Sequence, residues 1–280
     1  MNRIFCSVLV LATLAALVQA QPKPSGIMAQ IALVSDTHTT RGTNEEQPLY
    51  RGRLAKVIAA VNAAKVDLVL IAGDLTEHGR PEELNDFKEQ IKAFEPPVWY
   101  VPGHHDLGNK IVPGKETENE LTPVRLAGFE TLCGPSFFAR ECLGFRIIGF
   151  NSPILGSGFP RENEMWRFLE QELGERSSKP VLVFTHYPPF VKNPGEAGEY
   201  FNIEPGPRRR LLQLLKDSKV STYLSGHLHR PLTNHIDGML LLTTGPVSFG
   251  LPRGQQPQGW TLVTVPAQGE ARAEYRAIAD

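Results

Sequence analysis

A chain of 280 residues, 41% apolar and 21% charged, has ordinary globular composition and ample length for a large core. A formal net charge of −1 excludes the strongly basic balance of a nucleic-acid or anionic-membrane binder.

The chain opens with Arg3, the apolar run "IFCSVLVLATLAALV" and the small-residue close "VQA" before "QPKPSG". These are the parts of a secretory signal peptide over residues 1–20, with cleavage expected after Ala20 and a single domain following over 21–280. An uncleaved N-terminal anchor is the alternative, although the run is short for a membrane span, and no later segment could form one. If Cys6 leaves with the leader, Cys133 and Cys142 remain. Export permits disulfides, and these two flank the hairpin-like "GPSFFARE", so the expectation is a local Cys133–Cys142 bridge.

Next come an apolar strand in "QIALVSDTH", a helix in "LYRGRLAKVIAAVNAAK", a strand in "VDLVLIAGD", a helix in "EELNDFKEQIKAF" and a strand in "PVWYVPG". "SFFARECLGFRIIGFNS" reads as antiparallel strands. A helix in "ENEMWRFLEQELG", a strand in "PVLVFTH" and a proline-led helix in "PRRRLLQLLKDSK" follow. "VSTYLSGHLH", "MLLLTTG" and "WTLVTVP" complete the strands. Apolar strands alternating with helices predict an α/β fold with right-handed crossovers and mostly parallel sheet. Residues 187–207 form the longest irregular stretch, rich in Pro and Gly and carrying Tyr187, Phe190, Tyr200 and Phe201. It is either a surface excursion or a substrate-facing lid.

Polar chemistry collects where strands end, in "SDTH", "GDLTEHG", "GHHD", "TH" and "SGHLH". Ligands of open α/β sheets gather at the carboxyl ends of strands. His38, His104, His105, His186, His227 and His229 all lie in these five places. A lone strand-end histidine is usually structural, but five such clusters of His and Asp predict a dinuclear metal site.

In order, "DTH", "GDLTE", "GHHD", "TH" and "GHLH" resemble the motifs of the calcineurin-like metallophosphoesterase family, across residues 36 to 229. The stretch "YFNIEPGPRRRLLQLLKDSKVSTYLSGHLHRP" also resembles a subgroup holding calcineurin-like phosphoesterase domain-containing proteins and class III cyclic-nucleotide phosphodiesterases. The resemblance implies a four-layer α/β/β/α sandwich. It also implies that Asp36, His38, Asp74 and His229 hold one divalent ion. Asp74, His104, His186 and His227 would hold a second, with Asp74 bridging. Mn, Fe and Zn all suit such donors. Two dications, two carboxylates and a hydroxide sum to about +1, a sign that suits a phosphate anion. His105 matches the family's non-ligand histidine near the leaving-group oxygen, where it can donate a proton. Glu77 could hold and charge that imidazole, or could simply start a helix. Asp106 fits a turn-orienting role.

At 104 the family usually has asparagine; here histidine offers a neutral nitrogen instead, unless it points away and leaves the second metal weak. The metal-binding tyrosine of purple acid phosphatases is replaced by Glu77, which argues against ferric tyrosinate chemistry. The expected protein is a secreted or periplasmic phosphoesterase, attacking a phosphate mono- or diester in line with a metal-bound hydroxide. Its substrate would be a small phosphate ester or a phosphoprotein. The competing reading is an inactive metal- or protein-binding module that keeps the fold.

Overall fold

The computed structural model describes residues 26–44, 46–112, 114–116, 118–174 and 179–279, so the signal-peptide reading of 1–20 lies outside the described residues. Among the described residues eleven strands form two sheets. In chain order they are β1 (Ile27–Val34), β2 (Leu68–Ala72), β3 (Val98–Val101), β4 (Phe138–Cys142), β5 (Phe145–Gly149) and β6 (Val181–Phe184). Then follow β7 (Thr222–Ser225), β8 (Leu232–Ile236), β9 (Met239–Thr243), β10 (Gly259–Pro266) and β11 (Arg272–Ala277). The first sheet has the order β11-β10-β1-β2-β3 and the second β4-β5-β6-β7-β9-β8. The helices are α1 (Gln47–Ala64), α2 (Pro81–Ile91), α3 (His104–Leu107), α4 (Pro123–Cys133), α5 (Pro160–Gly174) and α6 (Pro205–Asp217).

The apolar runs exist because the central strands are buried on both faces. Along β1, Ile31 and Leu33 join one core cluster while Ala32 and Val34 join the other. β2 and β6 alternate likewise: Leu68, Leu70, Leu182 and Phe184 lie in one cluster, and Val69, Ile71, Val181 and Val183 in the other. The first cluster draws only on strands of the two sheets and their ends, and so fills the space between them. The second adds the buried faces of α1, α2, α5 and α6. The result is a four-layer α/β/β/α sandwich. Helices α1 and α2 cross between the parallel strands β1, β2 and β3, while α5 and α6 cross between β5, β6 and β7. Both sheets thereby point their parallel strand ends at one rim. No helix among the described residues is long and apolar enough to cross a membrane.

The expected Cys133–Cys142 bridge is not formed. Cys133 ends α4 and packs on the helix-side cluster, whereas Cys142, four residues along β4 from Phe138, packs with it on the inter-sheet cluster. Residues i and i+4 of a strand share a face, so Cys142 follows Phe138 into the inter-sheet cluster while Cys133 stays with the helix-side one. Burial also pushes the Cys133 thiol up to about 12, away from reactive thiolate.

Candidate metal centre

Past the ends of β1 and β2 the two chains stay hydrogen-bonded through their loops. Asp36 N–H donates to Gly73 O (3.1 Å), His38 N–H to Asp74 O (3.0 Å) and Thr39 N–H to Leu75 O (2.9 Å). In the second sheet Gly226 N–H donates to His186 O (3.0 Å), and Ser248 N–H joins the sheets through Asp36 O (3.0 Å). This lattice holds Asp36, His38, Asp74, His227 and His229 at φ between 46° and 73°, a left-handed backbone. Each such residue costs about 1 kcal/mol or more and persists only where its surroundings over-determine it, a hallmark of functional loops. Two motif glycines are explained by close approach. A Cβ on Gly103 would stand 2.1 Å from Asp74 Oδ1, and one on Gly226 would stand 1.7 Å from Ser35 Oγ.

The loops converge on two groups of four buried residues that could each hold a metal ion. One is Asp36, His38, Asp74 and His229; the other is Asp74, His104, His186 and His227. Within each group the candidate ligand atoms lie within 4.8 Å of one another, and Asp74 belongs to both. Its Oδ2 is 3.1 Å from His104 Nδ1, 3.2 Å from His186 Nε2 and 3.7 Å from His38 Nε2. Its Oδ1 accepts from the backbone N–H of His105 (2.9 Å).

Each imidazole is oriented by its other nitrogen, as metal-binding histidines require. His186 Nδ1 donates to Ala72 O (2.9 Å), His227 Nε2 to Tyr200 O (2.9 Å) and His229 Nδ1 to Phe249 O (2.6 Å). His38 Nδ1 lies 2.7 Å from Glu77 Oε2. His104 turns its Nδ1 into the cluster and sets Nε2 2.6 Å from the Tyr200 hydroxyl, so it does not point away. Three buried atoms of these groups, His38 Nε2, Asp74 Oδ2 and His227 Nδ1, have no hydrogen-bond partner among the described residues. Orphaned buried polar atoms cost about 1–3 kcal/mol each; three on one point fit divalent cations.

Charge supports the same fit. Burial lowers His104 to about 3 and His229 to about 4, and it holds His227 well below its ordinary value, so all three are neutral donors. Burial also acts to lower His186, but the Asp74 carboxylate outweighs it and lifts the imidazole to about 9. A cation held beside Asp74 would take the place of the proton on His186 Nε2.

The sequence left Glu77 either holding the His105 imidazole or starting a helix. The structure places the Glu77 carboxylate on His38, and His105 Nδ1 instead donates to the Glu77 backbone carbonyl (2.7 Å). One residue thus aligns both rings, by two different oxygens. His105 Nε2 is left free of that bond, in a ring 4.5 Å from both His38 and His104. Asp106 accepts from the N–H groups of Gly103, Leu75 and Thr76 and from the Thr76 hydroxyl, which ties two motif loops together. In residues 187–207, Tyr187 and Phe190 are buried in the core while the half-exposed Tyr200 leans on His104 and His227. Arg208 is buried on Pro189 and Glu196 carbonyls and Arg210 pairs with Glu170, so neither reaches the cluster.

The family model for calcineurin-like phosphoesterases matches residues 29–231. The chain belongs to that family. Its members include metal-dependent phosphatases and phosphodiesterases, and this chain shares their hydrolase class. It is 30% identical over 228 residues to serine/threonine-protein phosphatase CPPED1 of Danio rerio, covering 75% of this chain and 69% of that one. It is 33% identical over 194 residues to the probable glycerophosphodiester phosphodiesterase GpdQ of Arcobacter nitrofigilis, covering 66% and 64%. The fold is similar to that of a purple acid phosphatase from yellow lupin (Lupinus luteus) seeds, with a TM-score of 0.64 at 16% identity. That match covers 89% of this chain and about half, 51%, of the lupin chain. The likeness is one of fold, since Glu77 here stands on His38.

Tyr200 had no motif to announce it, yet its hydroxyl and carbonyl orient two candidate ligands of one group. Tyr200→Phe should weaken the ion of that group about tenfold, the usual scale for an outer-shell partner of a metal ligand. Calorimetric titration with Zn, read as separate affinities for the two ions, checks this.

Proposed function

We propose that the protein is an exported dinuclear-metal phosphoesterase that hydrolyses a phosphate mono- or diester by in-line displacement. The observation that carries this reading is the pair of four-residue groups sharing Asp74, with orphaned donor atoms facing their centres. Two divalent ions, when bound, supply the Lewis acidity that activates water and neutralises phosphate oxygens. Asp74 and Asp36 bring the only carboxylates of the two groups, so the loaded site keeps a positive sign toward the substrate. Gly103 lets the chain approach Asp74 closely, and the His105 N–H locks its Oδ1. His105, fixed through Nδ1, presents Nε2 as the acid that protonates the departing oxygen.

Turnover of aryl phosphate mono- and diesters by protein loaded with Mn, Fe or Zn tests the reading. Hydrolysis of at least one class is expected; two bound ions without any turnover would favour an inactive binding module.

His104→Asn should keep a second ion, because a neutral oxygen replaces a neutral nitrogen. The metal giving best activity should then move toward Mn. His104→Ala should lose that ion and most turnover. Metal content by elemental analysis separates the two variants.

Export to a secreted or periplasmic compartment is supported by Arg3 and the apolar run ending at Ala20. Mass measurement of the exported protein should give a chain beginning near Gln21. A retained Met1 would contradict export by cleavage.

A further inference from the structure

A cleft of about 380 Å³ shares His104, His105 and Tyr200 with the candidate centre, and its walls also include Asn109, Asn119 and Arg125. That volume exceeds a phosphoryl group and suits a leaving group of several heavy atoms. The wall carrying Arg125 is built rather than loose. Asn109 N–H donates to Asn119 O (2.7 Å) and Leu121 N–H returns to Asn109 O (2.9 Å). Thr122 then caps α4 by accepting from the Arg125 N–H (3.2 Å). Arg125 is an exposed residue that lines the cleft, and it has no ion-pair partner among the described residues. The carboxylate on the same wall set, Glu77, is committed to His38 Nδ1 at 2.7 Å.

We propose that this cleft is a leaving-group subsite in which Arg125 takes a second anion, of carboxylate type, on the departing alcohol. The proposal rests on the phosphoesterase reading above and adds the class of substrate. Water adds across the P–O bond: its oxygen bonds to phosphorus and keeps one proton, the P–O bond to the bridging oxygen breaks, that oxygen leaves with the proton from His105 Nε2, and the second proton of the water returns to His105 through solvent. The products are a hydroxy acid and phosphate. A guanidinium presents paired N–H donors that match a carboxylate in one plane. Arg125 thereby sets specificity through the leaving group rather than through the phosphoryl group.

The test uses the metal-loaded protein, with ω-phosphonooxy carboxylic acids of graded chain length and their methyl esters. Each pair has the same leaving oxygen and differs in one distant charge. The wild type should prefer the acid by about fivefold in kcat/KM at one chain length, the scale of a partly exposed ion pair. Arg125→Ala should bring that ratio to about one, Arg125→Glu should invert it, and Arg125→Lys should retain part of it. A ratio near one at every length in the wild type, or an unchanged ratio in Arg125→Ala, would overturn the subsite. Absence of turnover for acids and methyl esters alike, in protein that hydrolyses aryl phosphates, would overturn the subsite alone; absence with aryl phosphate mono- and diesters as well would overturn the phosphoesterase reading.

Discussion

Asp74→Asn should lower turnover by more than about 100-fold, beyond what loss of an outer partner costs, and should weaken both metal ions together. Its Oδ2 stands within 3.1–3.7 Å of nitrogens from three different histidines belonging to both groups, and no hydrogen bond satisfies it. An amide in its place brings no charge, and its NH2 would confront donors. Asp74 belongs to both groups, so the substitution disturbs both ligand sets at once. Elemental analysis and the aryl phosphate assay on the same preparation check it. Loss of one ion with the other unaffected would mean that Asp74 is not shared.

His105→Ala should reduce turnover by about 100-fold, as loss of a general acid does, while both ions stay bound. Retention is expected because alanine keeps the backbone N–H that holds Asp74 Oδ1 at 2.9 Å. The side chain contributes to the centre only through its Nε2, since Nδ1 is spent on the Glu77 carbonyl. The defect should shrink as the leaving group becomes more acidic, because such alkoxides depart without a proton. Rates across a series of substituted phenyl phosphates decide this; an equal loss for every member would assign His105 another role.

Much of this was legible in the chain because burial on both faces writes a strand as an unbroken apolar run. The polar residues that end such a run, as in "ALVSDTH" or "LVFTH", then mark the rim. The expected grouping of ligands came from the resemblance of these motifs to the calcineurin-like family. What failed to show needed the third dimension. The Cys133–Cys142 expectation came from nearness in sequence, and the pleat of β4 sends the second thiol to the other face of its sheet. The partner of Glu77 depended on whether its side chain or its carbonyl met His105. Tyr200 reaches His104 across 96 positions, and Arg125 shares the cleft wall with Asn109 and Asn119, which pair through the backbone bonds that also tie Leu121 to Asn109. Helix α4 buries only Leu126 and Phe129, and the edge strand β11 alternates mostly exposed residues, so neither carries the periodicity that marks a core element.

The shared role of Asp74 is tested most directly by diffraction from crystals of the Mn-loaded protein, at a wavelength where the metal scatters anomalously. Two peaks about 3.5–4 Å apart are expected, both in bonding contact with Asp74. One peak should also touch Asp36, His38 and His229, and the other His104, His186 and His227. A single peak, or two peaks of which only one contacts Asp74, would contradict a dinuclear centre built on that carboxylate.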